Sequence, residues 1–200
     1  AVGGSPTRRG VVATCNYEAR KYGIHSAMAS SMARNRCPEL IIIRPDMEKY
    51  RRASELIHEI FARYTSIIEP LSLDEAFLDV SNCSLFEGSA TLIAKDIRKS
   101  VKKKVGITIS AGIAPNKFLA KIASDWNKPD GQFVIKPEQV EGFLKDLPVK
   151  KLHGVGKVTA RKMHSIGIQT CGDLRGLSEG ELQDKFGSSG NRLFLLAKGI

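Results

Sequence analysis

The stretch Leu71-Ser-Leu-Asp-Glu-Ala-Phe-Leu78 places two adjacent acids inside an otherwise apolar run. Strand-like segments at 66–70 and 76–80 flank it, so the acids lie within or beside a turn. Because neighbouring strand residues point to opposite faces, Asp74 and Glu75 serve one site only if a turn or bulge aims both toward it. Paired carboxylates are suited to hold Mg²⁺, which prefers hard oxygen ligands. The alternative is an ordinary hairpin turn whose acids are solvated.

Helices and strands are interspersed on both sides of this hairpin. Apolar residues three and four positions apart between Met47 and Tyr64 predict a long amphipathic helix. Other predicted strands lie at 10–15, 40–43, 107–113 and 132–135, and other predicted helices at 17–22, 89–103 and 116–125, with a short helix opened by Ser26. This order predicts an α+β fold in which a mixed sheet carries helices packed on one face.

The chain after Lys136-Pro137 is predicted to be helical with glycine and serine breaks, which places a domain boundary near residue 136. Within it, Leu152-His-Gly-Val-Gly-Lys-Val-Thr-Ala-Arg-Lys-Met163 is typical of a helix-hairpin-helix. Its tight turn presents backbone N–H groups to phosphate without reading bases. The alternative is a glycine turn used only for packing. The residues predicted to contact the nucleic-acid backbone are Gly154, Val155, Gly156, Lys157 and Arg161.

Two further segments carry polar and cationic side chains, and the first of them suits a polyphosphate. Tyr17 and Arg20 are three residues apart, on one face of a helix that Asn16 would cap, and Thr14 lies just before it. Lys117 and Lys121 share a face of a later helix, and Lys128 follows in the turn Asn127-Lys-Pro-Asp-Gly131. Ordinary solvated helix faces and a Pro-Asp-Gly turn explain the same residues equally well.

The composition excludes several classes of protein. The 200 residues include 31 Lys and Arg against 21 Asp and Glu, a formal charge of +10, which favours an anionic partner. No apolar run is long enough to span a membrane, and no N-terminal signal peptide is evident. The four cysteines are scattered without a Cys-x-x-Cys pair, so neither a disulfide framework nor a zinc site is indicated.

Taken in order, these motifs resemble those of the Y-family lesion-bypass DNA polymerases, of the bacterial DNA polymerase IV type. The resemblance covers essentially the whole chain. The segments that carry it are Asn16-Tyr-Glu-Ala-Arg20, Ser72-Leu-Asp-Glu-Ala76, Ala114-Pro-Asn-Lys117 with Ala120-Lys-Ile-Ala123, Lys128-Pro-Asp-Gly131 and Gly154-Val-Gly156.

The resemblance implies fingers at 1–45, a palm at 46–135 and a helical thumb at 136–200. It implies two Mg²⁺ ions held by Asp74, with Glu75 completing the site near the primer 3′-hydroxyl. Thr14, Tyr17, Arg20 and Lys128 would hold the triphosphate of a dNTP. The implied protein is a monomer that copies primer–template DNA with low fidelity in the bacterial cytoplasm, at the nucleoid, and has no membrane partner.

The chain departs from the family pattern at both ends. It begins after the family's first strand, which carries the first metal-ligating Asp, and it ends near the thumb. From the pattern we expect a catalytic-core fragment that is inactive or nearly so, with a sliding clamp bound only through an absent C-terminal region. The loss of a central strand is also expected to leave neighbouring palm strands unpaired.

Two other functions fit some of the same residues. A non-catalytic module that binds the DNA backbone would use the helix-hairpin-helix and the cationic ends, without Asp74. A palm-type cyclase or other nucleotidyl transferase would use the carboxylates, but it has no duplex for the Gly-Val-Gly turn to bind.

Overall fold

The computed structural model describes residues 1–200, which form two compact units, Ala1–Ser54 and Glu55–Ile200. The strands are β1 (Val2–Gly3), β2 (Val12–Thr14), β3 (Ile68–Pro70), β4 (Ala76–Leu78), β5 (Ala111–Ile113) and β6 (Gln132–Val134). The helices are α1 (Tyr17–Lys21), α2 (Ser30–Arg36), α3 (Met47–Phe61), α4 (Ala90–Val105), α5 (Lys117–Trp126), α6 (Val140–Lys145), α7 (Lys157–Ser165), α8 (Cys171–Arg175), α9 (Glu179–Phe186) and α10 (Ser189–Ala197). Short 3₁₀ segments lie at Leu85–Gly88, Pro137–Gln139 and Val149–Lys151. None of the helices combines the length and apolar character needed to cross a bilayer. The predicted α+β class is confirmed.

The N-terminal unit packs α1 and α2 around the antiparallel pair β1–β2, with Val12, Ile24 and Met28 buried between them. Two predictions in this unit are wrong. The second helix begins at Ser30 and not at Ser26, because Ala27 has a left-handed φ of +66° that no helix accommodates. The segment 40–43 forms only a parallel bridge between Ile43 and Val2, too short to be a strand.

The first core of the second unit lies between α3 and α4. The predicted apolar spacing on α3 buries Ile57, Ile60 and Phe61, which meet Ile93 and Val101 of α4. Ser89 caps α4 by accepting a hydrogen bond from the N–H of Leu92, as the sequence predicted for its N-terminus. The hairpin β3–β4 packs against this core through Ile68, Ala76 and Leu78. The acidic turn is thereby carried at the tip of an anchored hairpin.

The strands of the second unit form two separate pairs, whereas the sequence predicted one mixed sheet. β3 and β4 are antiparallel, and β5 and β6 are parallel with α5 as the crossover between them. The strand predicted at 107–113 is shortened to Ala111–Ile113. A side chain bonds to the backbone just before this strand: Arg98 Nε donates to the carbonyl oxygen of Ile109 at 3.2 Å.

A second core runs from α5 to α10. Asn116 caps α5 at the start of the helix predicted at 116–125, and the buried face of α5 contributes Leu119 and Ile122. The same cluster continues through buried side chains of the C-terminal helices, namely Leu144, Leu147, Met163, Leu174, Leu182, Leu193 and Ala197. The core is therefore continuous across residue 136. It fixes α5 on one side against the C-terminal helices, leaving its lysine face for the hairpin.

Candidate functional site

Asp74 and Glu75 lie in the turn of the β3–β4 hairpin, and both side chains are exposed. The N–H groups of Leu71 and Ser72 donate to the carbonyl oxygen of Glu75 at 2.8 and 3.2 Å, which closes the turn. The Ser72 hydroxyl donates to Asp74 Oδ1 at 2.6 Å. The acids therefore occupy turn positions, where consecutive side chains are free of the alternation that a strand imposes.

Two lysines on α5 connect this helix to the hairpin. Lys121 Nζ lies 2.7 Å from Glu75 Oε2, and Lys117 Nζ pairs with a carboxylate oxygen of Glu69 on β3. The sequence predicted that these lysines share a face but assigned them no partner. Their spacing of four residues was the available signal, since it aligns two cations along one side of a helix. Lys117 and Lys121 therefore each pair with one acid of the hairpin, Glu69 and Glu75 respectively.

The donor set at the turn suits a hard divalent cation. Mg²⁺ is commonly held by one or two carboxylates that are completed by substrate phosphates and water. Asp74 and Glu75 supply two such carboxylates on consecutive exposed residues. No group of three or more His, Cys, Asp or Glu side chains in the chain forms a metal cage. The residues present therefore fit a metal shared with a phosphate-bearing substrate.

Thr14 ends β2, and Tyr17 and Arg20 follow on α1 of the N-terminal unit. Asn16 caps α1 by accepting a hydrogen bond from the N–H of Ala19 at 3.1 Å, as predicted. The guanidinium carbon of Arg20 lies 5.8 Å from the ring centroid of Tyr17. All three predicted phosphate-binding side chains are exposed, so a hydroxyl, a phenol and a guanidinium face solvent between positions 14 and 20.

Lys128 lies in the loop of residues 127–131, between α5 and β6 of the second unit. Its ammonium group is 2.5 Å from Asp125 Oδ1, one turn back on α5. Two positions further on, Asp130 accepts hydrogen bonds from Lys102 Nζ at 3.1 Å and from Arg98 Nη2 at 2.9 Å. These cations lower the pKa of the Asp130 carboxyl, Lys102 having the larger effect. The loop that carries Lys128 is thus tied to α4.

The helix-hairpin-helix predicted at 152–163 is present, with α7 beginning at Lys157 and Gly156 as its N-cap. Gly154 has a φ of +84°, a backbone conformation that favours glycine. Arg192 Nη2 donates to the carbonyl oxygen of His153 at 2.6 Å and braces the turn from α10. Lys157 and Arg161 are exposed, so the turn and the first helical turns of α7 present cations to solvent.

Comparison with family models matches most of the chain. Residues 1–125 match the impB/mucB/samB family, and residues 150–200 match a model described as the thumb domain of DNA polymerase-iota.

Curated relatives agree along the full chain. DNA polymerase IV of Ralstonia nicotianae is 61% identical over all 200 residues, and DNA polymerase IV of Pseudomonas savastanoi pv. phaseolicola is 64% identical over the same length. The chain spans 56% and 57%, respectively, of the length of these two relatives.

Solved structures show the same architecture. DinB from Sulfolobus solfataricus superposes with a TM-score of 0.90 at 35% identity, over 99% of this chain and 59% of that chain. An insertion ternary complex of Dbh DNA polymerase superposes with a TM-score of 0.89 at 35% identity, with the same shares covered. The chain therefore belongs to the impB/mucB/samB family and has the fold of the Y-family DNA polymerases.

Proposed function

We propose that this chain carries the core of a template-directed DNA polymerase of the translesion type. It transfers a nucleotide from a dNTP to a primer 3′-hydroxyl and releases pyrophosphate. The observation that carries the proposal is the pair Asp74 and Glu75, exposed on a hairpin turn whose Glu75 pairs with Lys121, in a chain that matches the family over residues 1–125. In this proposal the polymerase core consists of fingers at 1–45, a palm at 46–135 and a thumb at 136–200.

Asp74 and Glu75 would hold two Mg²⁺ ions, because their hard carboxylate oxygens suit the ion. When bound, the ions lower the pKa of the primer hydroxyl and stabilise the charge that develops during in-line phosphoryl transfer. Glu75 lies on the side of the primer 3′-hydroxyl. The remaining contributions come from side chains that bind and orient the substrates.

Thr14, Tyr17, Arg20 and Lys128 bind the triphosphate of the incoming nucleotide. Arg20 and Lys128 offset the negative charge that accumulates on the leaving pyrophosphate, while the Thr14 and Tyr17 hydroxyls donate hydrogen bonds to its oxygens. Their exposure in the free chain leaves them accessible to a nucleotide. Preformed positioning of this kind accounts for much of the rate in phosphoryl transfer.

The thumb holds the duplex through its backbone. Gly154 and Gly156 present N–H groups to a phosphate, and Val155 shapes the turn between them by donating its N–H to the carbonyl oxygen of Leu152 at 3.0 Å. Lys157 and Arg161 add charge. These contacts carry no base information, so binding is independent of sequence. The partners are primer–template DNA and dNTPs, and the protein acts as a monomer at the bacterial nucleoid.

The test is primer extension by the gene product that contains this chain, with Mg²⁺ and the four dNTPs. Asp74→Asn keeps the shape and the hydrogen bond from Ser72 but removes the charge. We expect extension to fall roughly a hundredfold or more, the scale of losing one contact to developing charge. Asp79→Asn is the matched control, since Asp79 follows the same hairpin and accepts a hydrogen bond from Ser81 at 2.9 Å.

The two variants separate the candidate functions. Loss of extension in Asp74→Asn alone, with primer–template affinity unchanged, supports the polymerase. If both variants extend normally while Gly154→Asp abolishes DNA binding, the chain is a DNA-binding module and the polymerase site is wrongly assigned. Turnover of a free nucleotide without template indicates a different nucleotidyl transferase.

A further inference from the structure

The loop of residues 127–131 has little internal support. Asn127 Nδ2 donates to the carbonyl oxygen of Gln132 at 2.9 Å, and the N–H of Gly131 reaches the Ser110 hydroxyl at 3.4 Å. Asp130 has a left-handed φ of +47°, a conformation that aspartate tolerates better than most residues but does not prefer. The shape of this loop therefore depends on contacts from outside it.

Arg98 of α4 supplies several of those contacts, beside the N–H of Ala111, which donates to the carbonyl oxygen of Gly131 at 3.0 Å. Arg98 Nη2 donates to the carbonyl oxygen of Asp130 and, at 2.9 Å, to Asp130 Oδ1. Its Nη1 donates to Gln132 Oε1 at 3.2 Å, immediately after the loop. Its Nε donates at 3.2 Å to the carbonyl oxygen of Ile109, which lies two positions before the start of β5 at Ala111. One guanidinium thus joins the N-terminal ends of both strands of the parallel β5–β6 pair and the left-handed residue Asp130.

The environment of Arg98 strengthens these bonds. Its side chain is 18% exposed, whereas Lys102, which reaches the other oxygen of Asp130, is 65% exposed. Hydrogen bonds between ions strengthen as water is excluded, and a planar guanidinium holds its partners in a fixed geometry that an ammonium group lacks. Arg98 is therefore the rigid member of the pair of cations, and Lys102 is the solvated one.

We propose that Arg98 is a positioning residue for nucleotide binding: by fixing Asp130 and the C-terminal end of the 127–131 loop, it sets where Lys128 presents its ammonium group to the triphosphate. The inference rests on the proposed function for the role of Lys128. Arg98 makes no contact with the nucleotide in this scheme. Its contribution passes through the backbone between residues 128 and 130.

The first measurement follows the loop itself, without nucleotide. Trp126 is the one tryptophan of the chain and directly precedes the loop. In Arg98→Gln we expect faster hydrogen exchange at Gly131 and Gln132, by about tenfold, and greater quenching of Trp126 fluorescence by acrylamide. Lys99→Gln, an exposed neighbour on the same helix, is the matched control and should change neither. Unchanged exchange at the loop in Arg98→Gln overturns the proposal.

The second measurement separates positioning from general destabilisation. In primer extension by the gene product that contains this chain, we expect Arg98→Gln to raise the KM for dNTP roughly tenfold with a smaller change in kcat. We expect Arg98→Lys to give an intermediate KM, because one ammonium group cannot replace the whole fork. In a Lys128→Ala background, Arg98→Gln should add little further, since the group that it positions is gone.

The outcomes distinguish the positioning role of Arg98 from the nucleotide-binding role of Lys128. An equal rise in KM from Arg98→Gln with and without Lys128 means that Arg98 acts through the fold in general, and the positioning role is overturned. If Lys128→Ala leaves the KM unchanged, the nucleotide-binding role of Lys128 fails. The exchange and quenching measurements then still decide whether Arg98 fixes the loop.

Discussion

Lys121 Nζ lies 2.7 Å from Glu75 Oε2, an ion pair that joins α5 to the tip of the β3–β4 hairpin across 46 positions of sequence. The side chains are 23% and 47% exposed, so water screens the pair and its contribution to stability is below about 1 kcal/mol. Its importance is electrostatic. Lys121 pairs with an oxygen of the Glu75 carboxylate, which we assign to metal binding.

Removing this lysine should tighten divalent-cation binding. A positive charge beside the carboxylate repels a second cation, and Lys121→Gln removes that repulsion while leaving the acids in place. We expect Mn²⁺ affinity, measured by titration calorimetry at low ionic strength, to rise about threefold. Lys117→Gln is the matched control, because its partner is Glu69 on β3. Equal tightening in both variants would point to a general charge effect and contradict the specific role of Lys121.

Alanine substitutions at the two glycines of the Gly154-Val-Gly156 turn should destabilise the fold to different extents. A Cβ at Gly154 would lie 2.7 Å from Arg192 Nη2, and the φ of +84° is strained for alanine. We expect Gly154→Ala to lower the free energy of unfolding by about 1–2 kcal/mol and Tm by about 3–6 °C. Gly156 has a φ of −80° and open space around it, so Gly156→Ala should cost about 0.5 kcal/mol as a poorer N-cap. Thermal unfolding of the two variants side by side makes the comparison.

DNA binding should depend steeply on salt and hardly at all on sequence. Each phosphate neutralised by a cation adds about 0.9 to the slope of log affinity against log salt concentration. Lys157→Gln and Arg161→Gln should therefore each reduce that slope by about one. Lys103→Gln, exposed on α4, is the control and should leave it unchanged. Fluorescence anisotropy with two unrelated primer–templates provides the measurement, and sequence-selective binding that survives high salt would contradict it.

Acid should remove a stabilising contribution from Asp173. The N–H groups of Thr170 and Gln169 donate to Asp173 Oδ2 at 2.8 and 2.9 Å, and they lower the pKa of the carboxyl below its ordinary value. A carboxyl whose folded pKa is depressed stabilises the fold above its unfolded pKa of about 3.9 and loses this contribution as the pH falls through the folded value.

The measurement is urea unfolding of the unmodified chain and of Asp173→Asn at a series of pH values. Asparagine keeps an acceptor for the capping N–H groups but carries no charge. We expect the two free energies of unfolding to differ by a constant amount near neutral pH and to converge below about pH 4. A difference that stays the same down to strongly acidic pH would show that the charge of Asp173 contributes nothing.

Local signals in the sequence predicted much of the architecture. Asn16 and Asn116 were identified as helix caps because their side chains accept hydrogen bonds from N–H groups three positions ahead, and both do so. The buried face of α3 and the start of α7 at Lys157 followed from apolar spacing and from the glycine turn. Such features depend only on neighbours in the chain.

Features that depend on distant partners were not predictable in the same way. Arg98 bonds to Ile109, Asp130 and Gln132, and no local pattern around Arg98 in the sequence indicated these partners. The sequence likewise showed several strands without showing that they form separate pairs. Pairing depends on which segments meet in space, and short strands of three residues carry too few side chains to specify a partner.

The continuous core from α5 to α10 has a consequence for building chimeras within this family. Leu119 and Ile122 belong to α5. They lie in the same buried cluster as Leu144, Met163 and Leu174 of the C-terminal helices. A recombination junction placed at residue 136 would therefore pair one parent's α5 with the other parent's helices and create mismatched cavities. A graft that transfers residues 116–200 together keeps the packed side chains of this core from a single parent. It also places the donor's Lys121 beside the recipient's Glu75.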